Sequence, residues 1–135
     1  MPKKTPKDEP SALMVPQPPA RPSRGQQAEQ LAVRFLQQQG LQVLHCNVQA
    51  RVGELDVVAL HGAVLVFVEV RLRRQGGLVS AAESVSVAKQ RKLIRAAQWF
   101  LQRAPEHEWR ECRFDVLAFA SLLQPPEWIC GAFTA

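Results

Sequence analysis

Apolar and polar positions alternate along this chain with two different periods. Between Arg24 and Gln39, apolar residues fall at Ala28, Leu31, Ala32, Val33, Phe35 and Leu36. At 100° per residue they fill one broad arc, which predicts a helix ending at Gly40. Three short apolar runs then predict strands at Leu41–Val48, Gly53–Leu60 and Val64–Arg71, with His61-Gly62 as a tight turn between the last two. After a break at Gly76-Gly77, Ser80-Ala81-Ala82-Glu83 has the spacing of a capping box. It would open a second helix running to about Ala104, with a stripe at Leu93, Ile94, Ala96, Ala97, Phe100, Leu101 and Ala104. Strands at Cys112–Phe119 and Trp128–Phe133 complete the body. The order αβββαβ plus a terminal strand predicts an α/β fold, a mixed β-sheet flanked by helices.

Two acids interrupt this pattern. Asp56 lies inside the second strand and Glu69 inside the third. A carboxylate in a strand core is costly unless it is paired or holds a cation. Strict alternation puts Glu54, Asp56 and Val58 on one face, and Leu65, Phe67, Glu69 and Arg71 on one face of the next strand. With His61-Gly62 as the loop, Leu60 pairs with Ala63 and Asp56 faces Phe67, diagonal to Glu69. Diagonal neighbours are about 7–8 Å apart, a gap that one hydrated Mg²⁺ can bridge. Glu29 falls inside the apolar arc of the first helix and leans toward the sheet, or else snorkels outward from its edge.

This set has a chemistry. Phosphodiester hydrolysis calls for a cation that neutralises developing charge and acidifies an attacking water. Mg²⁺, or Mn²⁺, would take Asp56 and Glu69 as metal ligands, Glu29 through a water, and the Val70 carbonyl as a further oxygen. The pattern Asp…Glu-x-Lys is the metal-nuclease signature, but position 71 is arginine. Arg71 cannot act as a base, because a guanidinium does not give up its proton. It can hold a phosphate, and Lys89, on the stripe side of the second helix, can supply an ammonium. The plainer alternative is a structural Glu69–Arg71 ion pair at a strand end.

Charge and composition narrow the classes. Net charge is +5, of which residues 1–24 contribute +3. From 71 to 95 the chain carries Arg71, Arg73, Arg74, Lys89, Arg91, Lys92 and Arg95 against only Glu83. That cluster suits phosphates, or is a solvated surface. Residues 1–22 hold seven of the ten prolines and are expected to be a disordered basic tail, leaving 23–135 as a single nuclease-like domain. The longest apolar run, Ala63–Val70, is too short to span a bilayer, and no signal peptide is evident, so a cytoplasmic protein is expected. Cys46, Cys112 and Cys130 lack disulfide or zinc spacing and read as reduced core thiols. His45, His61 and His107 show no ligand spacing, and Trp99, Trp109 and Trp128 read as core or edge packing.

Five motifs in order, Arg24-Gly25…Ala28-Glu29…Phe35-Leu36, Gly53-Glu54-Leu55-Asp56, Phe67-Val68-Glu69-Val70-Arg71, Val85…Lys89…Arg91…Leu93 and Arg113-Phe114-Asp115-Val116, followed by Gly131-Ala132-Phe133, resemble the YraN-like family of small bacterial proteins. The resemblance covers residues 24–133. It implies a restriction-endonuclease-like fold, similar also to Holliday-junction resolvases, with Glu29, Asp56 and Glu69 as the acidic set and Lys89 and Asp115 as positions the family carries. Asp115 beside Arg113 reads as structural or supporting. Arg71 departs from the lysine usual in the family.

Three functions follow as expectations. One is a metal-dependent endonuclease acting on DNA, including branched DNA, with Glu29, Asp56, Glu69, Arg71 and Lys89 in the site. Another is a nucleic-acid-binding protein of the same fold that cleaves poorly or not at all, with Arg71, Arg73, Arg74, Lys89, Arg91 and Lys92 on the backbone. The last is a partner-binding domain whose melting temperature would ignore divalent ions. A homodimer would suit cutting of two strands.

Overall fold

The computed structural model describes residues 21–73 and 85–135. Helix α1 spans Arg24–Gln38. Ser23 caps it: the Gln26 N–H donates to the Ser23 hydroxyl at 3.1 Å, and the Gln26 side chain accepts from the Ser23 N–H at 2.8 Å. The chain leaves the helix through Gly40 at φ +92°, a conformation glycine adopts without steric cost. Strands β1 (Gln42–Ala50), β2 (Gly53–His61) and β3 (Val64–Leu72) follow. Helix α2 spans Val87–Gln102, and β4 (Cys112–Phe119) and β5 (Glu127–Phe133) close the fold.

The five strands form one sheet in sequence order. β1, β2 and β3 are an antiparallel meander, β3 and β4 run parallel, and β5 returns antiparallel to β4. The parallel step is made by the crossover that contains α2. The fold is therefore α/β, a mixed sheet with, among the described residues, one helix against each face, in the expected element order.

Each face has its own core. On the α1 side Ala28, Ala32 and Leu36 pack on Val57, Ala59, Val66, Val68, Leu117 and Phe119. On the α2 side Leu93, Ala96, Ala97 and Phe100 pack on Leu55, Val58, Leu65, Phe67, Phe114 and Val116. The expected stripes supply these contacts, with Leu31, Val33 and Phe35 at the margin of the first.

Several expectations are corrected. The α2 cap is Ser86, whose hydroxyl accepts the Lys89 N–H at 3.1 Å, so the helix begins later than the Ser80–Glu83 motif, which lies outside the described residues. The β2–β3 turn is Gly62-Ala63, because His61 still pairs with Val64; Gly62 sits at φ +63°. The register is thus shifted by two residues, and Phe67 faces Val58 rather than Asp56. An even shift keeps every β3 side chain on its expected face. The three cysteines are free but exposed rather than in a core. Trp109 is likewise exposed, stacked under the Arg110 guanidinium. Most of the expected proline-rich tail lies outside the described residues, but Pro22 already takes part in the fold, its carbonyl accepting the Gln27 side chain. Among the described residues no helix is long and apolar enough to cross a membrane.

Candidate functional site

The alternation of β2 fails at Asp56. Leu55 and Val58, three residues apart, belong to the same core, whereas Val57 belongs to the other. The neighbouring edge strand keeps its register from His45 to Ala50, its shift lying between Val43 and His45, but it is irregular opposite Asp56. Asn47 of β1 has φ +54°, a left-handed conformation that asparagine tolerates better than most residues. Glu54, Asp56 and Val58 therefore do not share a face as a regular strand would require. Instead Asp56 is half-buried where the sheet turns, beside Glu69 of β3.

Glu69 is on the α2 face and 5% exposed. One of its oxygens, Oε2, receives Arg71 Nη1 at 3.3 Å and Lys89 Nζ at 3.6 Å. The other, Oε1, is buried without a hydrogen-bond partner among the described residues. Asp56 accepts the Val70 N–H at 2.9 Å. Its carboxyl is nevertheless pushed up to about 8, first by burial and then by the charge of Glu69. An orphaned buried acceptor costs about 1–3 kcal/mol. Two acids held this close share a proton below about pH 8, or would be stabilised by a bound cation.

Glu29 approaches from α1. Its carboxyl is raised by burial, then by the charge of Glu54, with Glu69 adding a smaller effect. The Asn47 amide, oriented to satisfy its neighbours, donates to Glu29 Oε1 at 3.0 Å and Glu54 Oε2 at 3.2 Å. Glu29, Asn47 and Asp56 line a cleft of about 310 Å³, with Pro22, Gln26 and Val33 among its walls. Among the described residues no three His, Cys, Asp or Glu side chains converge to enclose an ion. Asp56 and Glu69 form the close pair, and Glu29 acts on them through its charge. Such a sparse set suits Mg²⁺, which takes one or two carboxylates and keeps its other positions for water and phosphate.

Of the expected site residues, Asp56, Glu69, Arg71 and Lys89 come together, and Glu29 stands across the cleft. Arg73 ends β3, its N–H on the Phe119 carbonyl. Arg91 and Lys92 are exposed on α2, away from this set of contacts, and Arg74 lies outside the described residues. Asp115 is not part of the site. It is fully buried and accepts Arg113 Nε and Nη2, Trp128 Nε1 and the Gly131 N–H, each at 2.9 Å. Arg113 Nη2 also meets His61 Nδ1 at 2.8 Å. With four donors on two oxygens, Asp115 ties β4 to β5, and the Arg113–His61 contact reaches β2. Asn47 was the residue that sequence reasoning missed; an asparagine inside an edge strand was the available signal.

A mixed α/β sheet with a buried acidic pair at the end of its central strands defines the class. The chain belongs to the uncharacterised protein family UPF0102, whose profile matches residues 28–119. It is 46% identical over 117 residues to the UPF0102 protein of Pseudomonas savastanoi pv. phaseolicola, covering 84% of this chain and 95% of that one. The UPF0102 protein of Aeromonas hydrophila is 47% identical over 116 residues, covering 85% and 88%. That of Stutzerimonas stutzeri is 48% identical over 113 residues, covering 82% and 94%.

Proposed function

We propose that this protein is a metal-dependent, endonuclease-like protein that acts on DNA. The observation that carries the reading is the Asp56–Glu69 pair, with Glu69 Oε1 buried and without a hydrogen-bond partner among the described residues and two cations on its other oxygen. The element order around the mixed sheet is in keeping with the nuclease fold that the sequence resemblance implied. Asp56 and Glu69 would hold Mg²⁺ or Mn²⁺, which supplies charge neutralisation and a more acidic water for phosphodiester hydrolysis. Lys89, tethered through Glu69, is placed to orient a phosphate or water. Arg71 stays charged and serves as a phosphate or transition-state contact, not a base. Glu29 adds negative charge across the cleft and orients water there.

A second reading has an observation of its own. Arg71 occupies the motif's lysine position and is held by Glu69, which favours binding of DNA without turnover.

The test is cleavage of labelled duplex, single-stranded and four-way-junction DNA in Mg²⁺ and Mn²⁺. Cutting that disappears in Asp56→Ala establishes the nuclease. Cutting by Arg71→Lys but not by wild type establishes a nuclease fold silenced at one position. If neither cuts but wild type binds, the second reading stands. A homodimer joins the proposal only if both strands are cut. Independently of turnover, Mg²⁺ is expected to raise the melting temperature of wild type but not of Glu69→Gln. An unchanged wild-type melting temperature in both metals would sink the metal site.

A further inference from the structure

The α2 helix carries Lys89, Arg91, Lys92 and Arg95 and no acid. Its exposed side runs through Arg91, Lys92, Arg95, Gln98 and Gln102. The tip of the β1–β2 hairpin lies against this helix, Gly53 approaching the Lys92 backbone so closely that an added Cβ would stand 3.4 Å from its carbonyl. The residues just before Gly53, Arg51 and Val52, therefore project beside α2. Together with Arg95, Gln98, Trp99 and Gln102 they line a groove of about 540 Å³, within the range of small-ligand clefts. Among the described residues Arg51, Arg91, Lys92 and Arg95 pair with no acid.

We propose that this groove binds a single-stranded nucleic-acid segment, with phosphates on Arg51 and Arg95 and a base against Val52 and Trp99. Resting on the proposed function, this assigns the path by which the strand leaves the acidic pair. Charge complementarity selects a polyanion. The apolar wall selects one with exposed bases: Val52 is 39% exposed, and the half-buried Trp99 indole lies under the Arg103 guanidinium at 4.2 Å. A duplex would present only its phosphates here and leave the exposed Val52 uncovered, whereas a basic groove with an apolar, partly aromatic wall fits an unpaired strand. The Gln98 and Gln102 amides donate or accept as the base requires. Arg95 is six residues beyond Lys89, about 9 Å along the helix axis. The two residues also stand about 120° apart around the helix, so a strand touching both crosses the helix surface.

The experiment is fluorescence anisotropy of a labelled oligothymidylate and of a duplex of the same length, in EDTA and at several salt concentrations, with the full chain. The Arg51→Ala/Arg95→Ala double variant, at exposed positions, is expected to weaken single-strand binding about tenfold or more and to flatten its salt dependence. Val52→Asp is expected to weaken the single strand more than the duplex. Trp99→Leu should do the same provided its melting temperature is near wild type. If wild type binds and the double variant binds equally, the groove is wrong while the acidic site stands. If Val52→Asp lowers both ligands equally, the single-strand assignment is wrong. If wild type binds neither ligand, the groove and the DNA-directed function fall together.

Discussion

At the scale of single residues, Asp115 and Asp56 are two acids of the sheet with opposite fates. Asp115 has its charge met by Arg113, which donates twice, and by the Trp128 and Gly131 N–H groups, so removing it strands a guanidinium and two N–H groups. Asp115→Ala is expected to destabilise the fold by about 3–5 kcal/mol, read from urea unfolding midpoints. Asp56 is the reverse case. Its ordinary value near 3.8 is raised to about 8 by burial and by Glu69. Between those values the folded protein holds a proton that the unfolded chain has released. Stability in EDTA should therefore fall as pH rises from about 4 to about 8. Asp56→Asn should lose this slope and be more stable than wild type at about pH 9. A slope of the same size in Asp56→Asn would assign the effect to other groups.

At the scale of elements, the helices were legible because their stripes are long and regular: Ala28, Ala32 and Leu36 in α1, and Leu93, Ala96, Ala97 and Phe100 in α2, are the residues that became buried. The start of α2 was less so. The expected cap, Ser80, lies outside the described residues, and the helix that packs on the sheet is capped by Ser86. Ser86→Ala should cost about 1 kcal/mol, measured as a shift in thermal midpoint. The hairpin register was misread because His61 is as good a strand residue as a turn residue, while Gly62 with its positive φ was the firmer turn signal. The acids themselves were legible, since carboxylates inside apolar runs stand out in any window. What brings Asp56 beside Glu69 was not, because it comes from the β2–β3 register, with Val57 opposite Val68, and from the break in β2 alternation. A period-two rule applied strand by strand cannot contain that information.

Over the whole molecule, the sheet has helices on both faces, and β3 and β4 form its parallel centre. Val66, Val68, Leu117 and Phe119 are buried on one side, and Leu65, Phe67, Phe114 and Val116 on the other. Amide exchange should accordingly be slowest in β3 and β4 and fastest in β1, whose residues are mostly exposed. Exchange as slow in β1 as in β3 would show that the edge is covered in solution. The exposed cysteines are invisible to hydropathy, which places a thiol inside on average but carries no information on strand position.

The left-handed residue in β1 has a counterpart. β5, the opposite edge, contains Gly131 at φ +62°, and among the described residues no inner strand has a positive φ. Each margin of the sheet therefore carries an interruption where a straight, continuous row of amides would recruit another polypeptide. Solubility and site geometry are joined at Asn47: the residue whose amide bridges Glu29 and Glu54 also makes the margin a poor template for fibrillar growth.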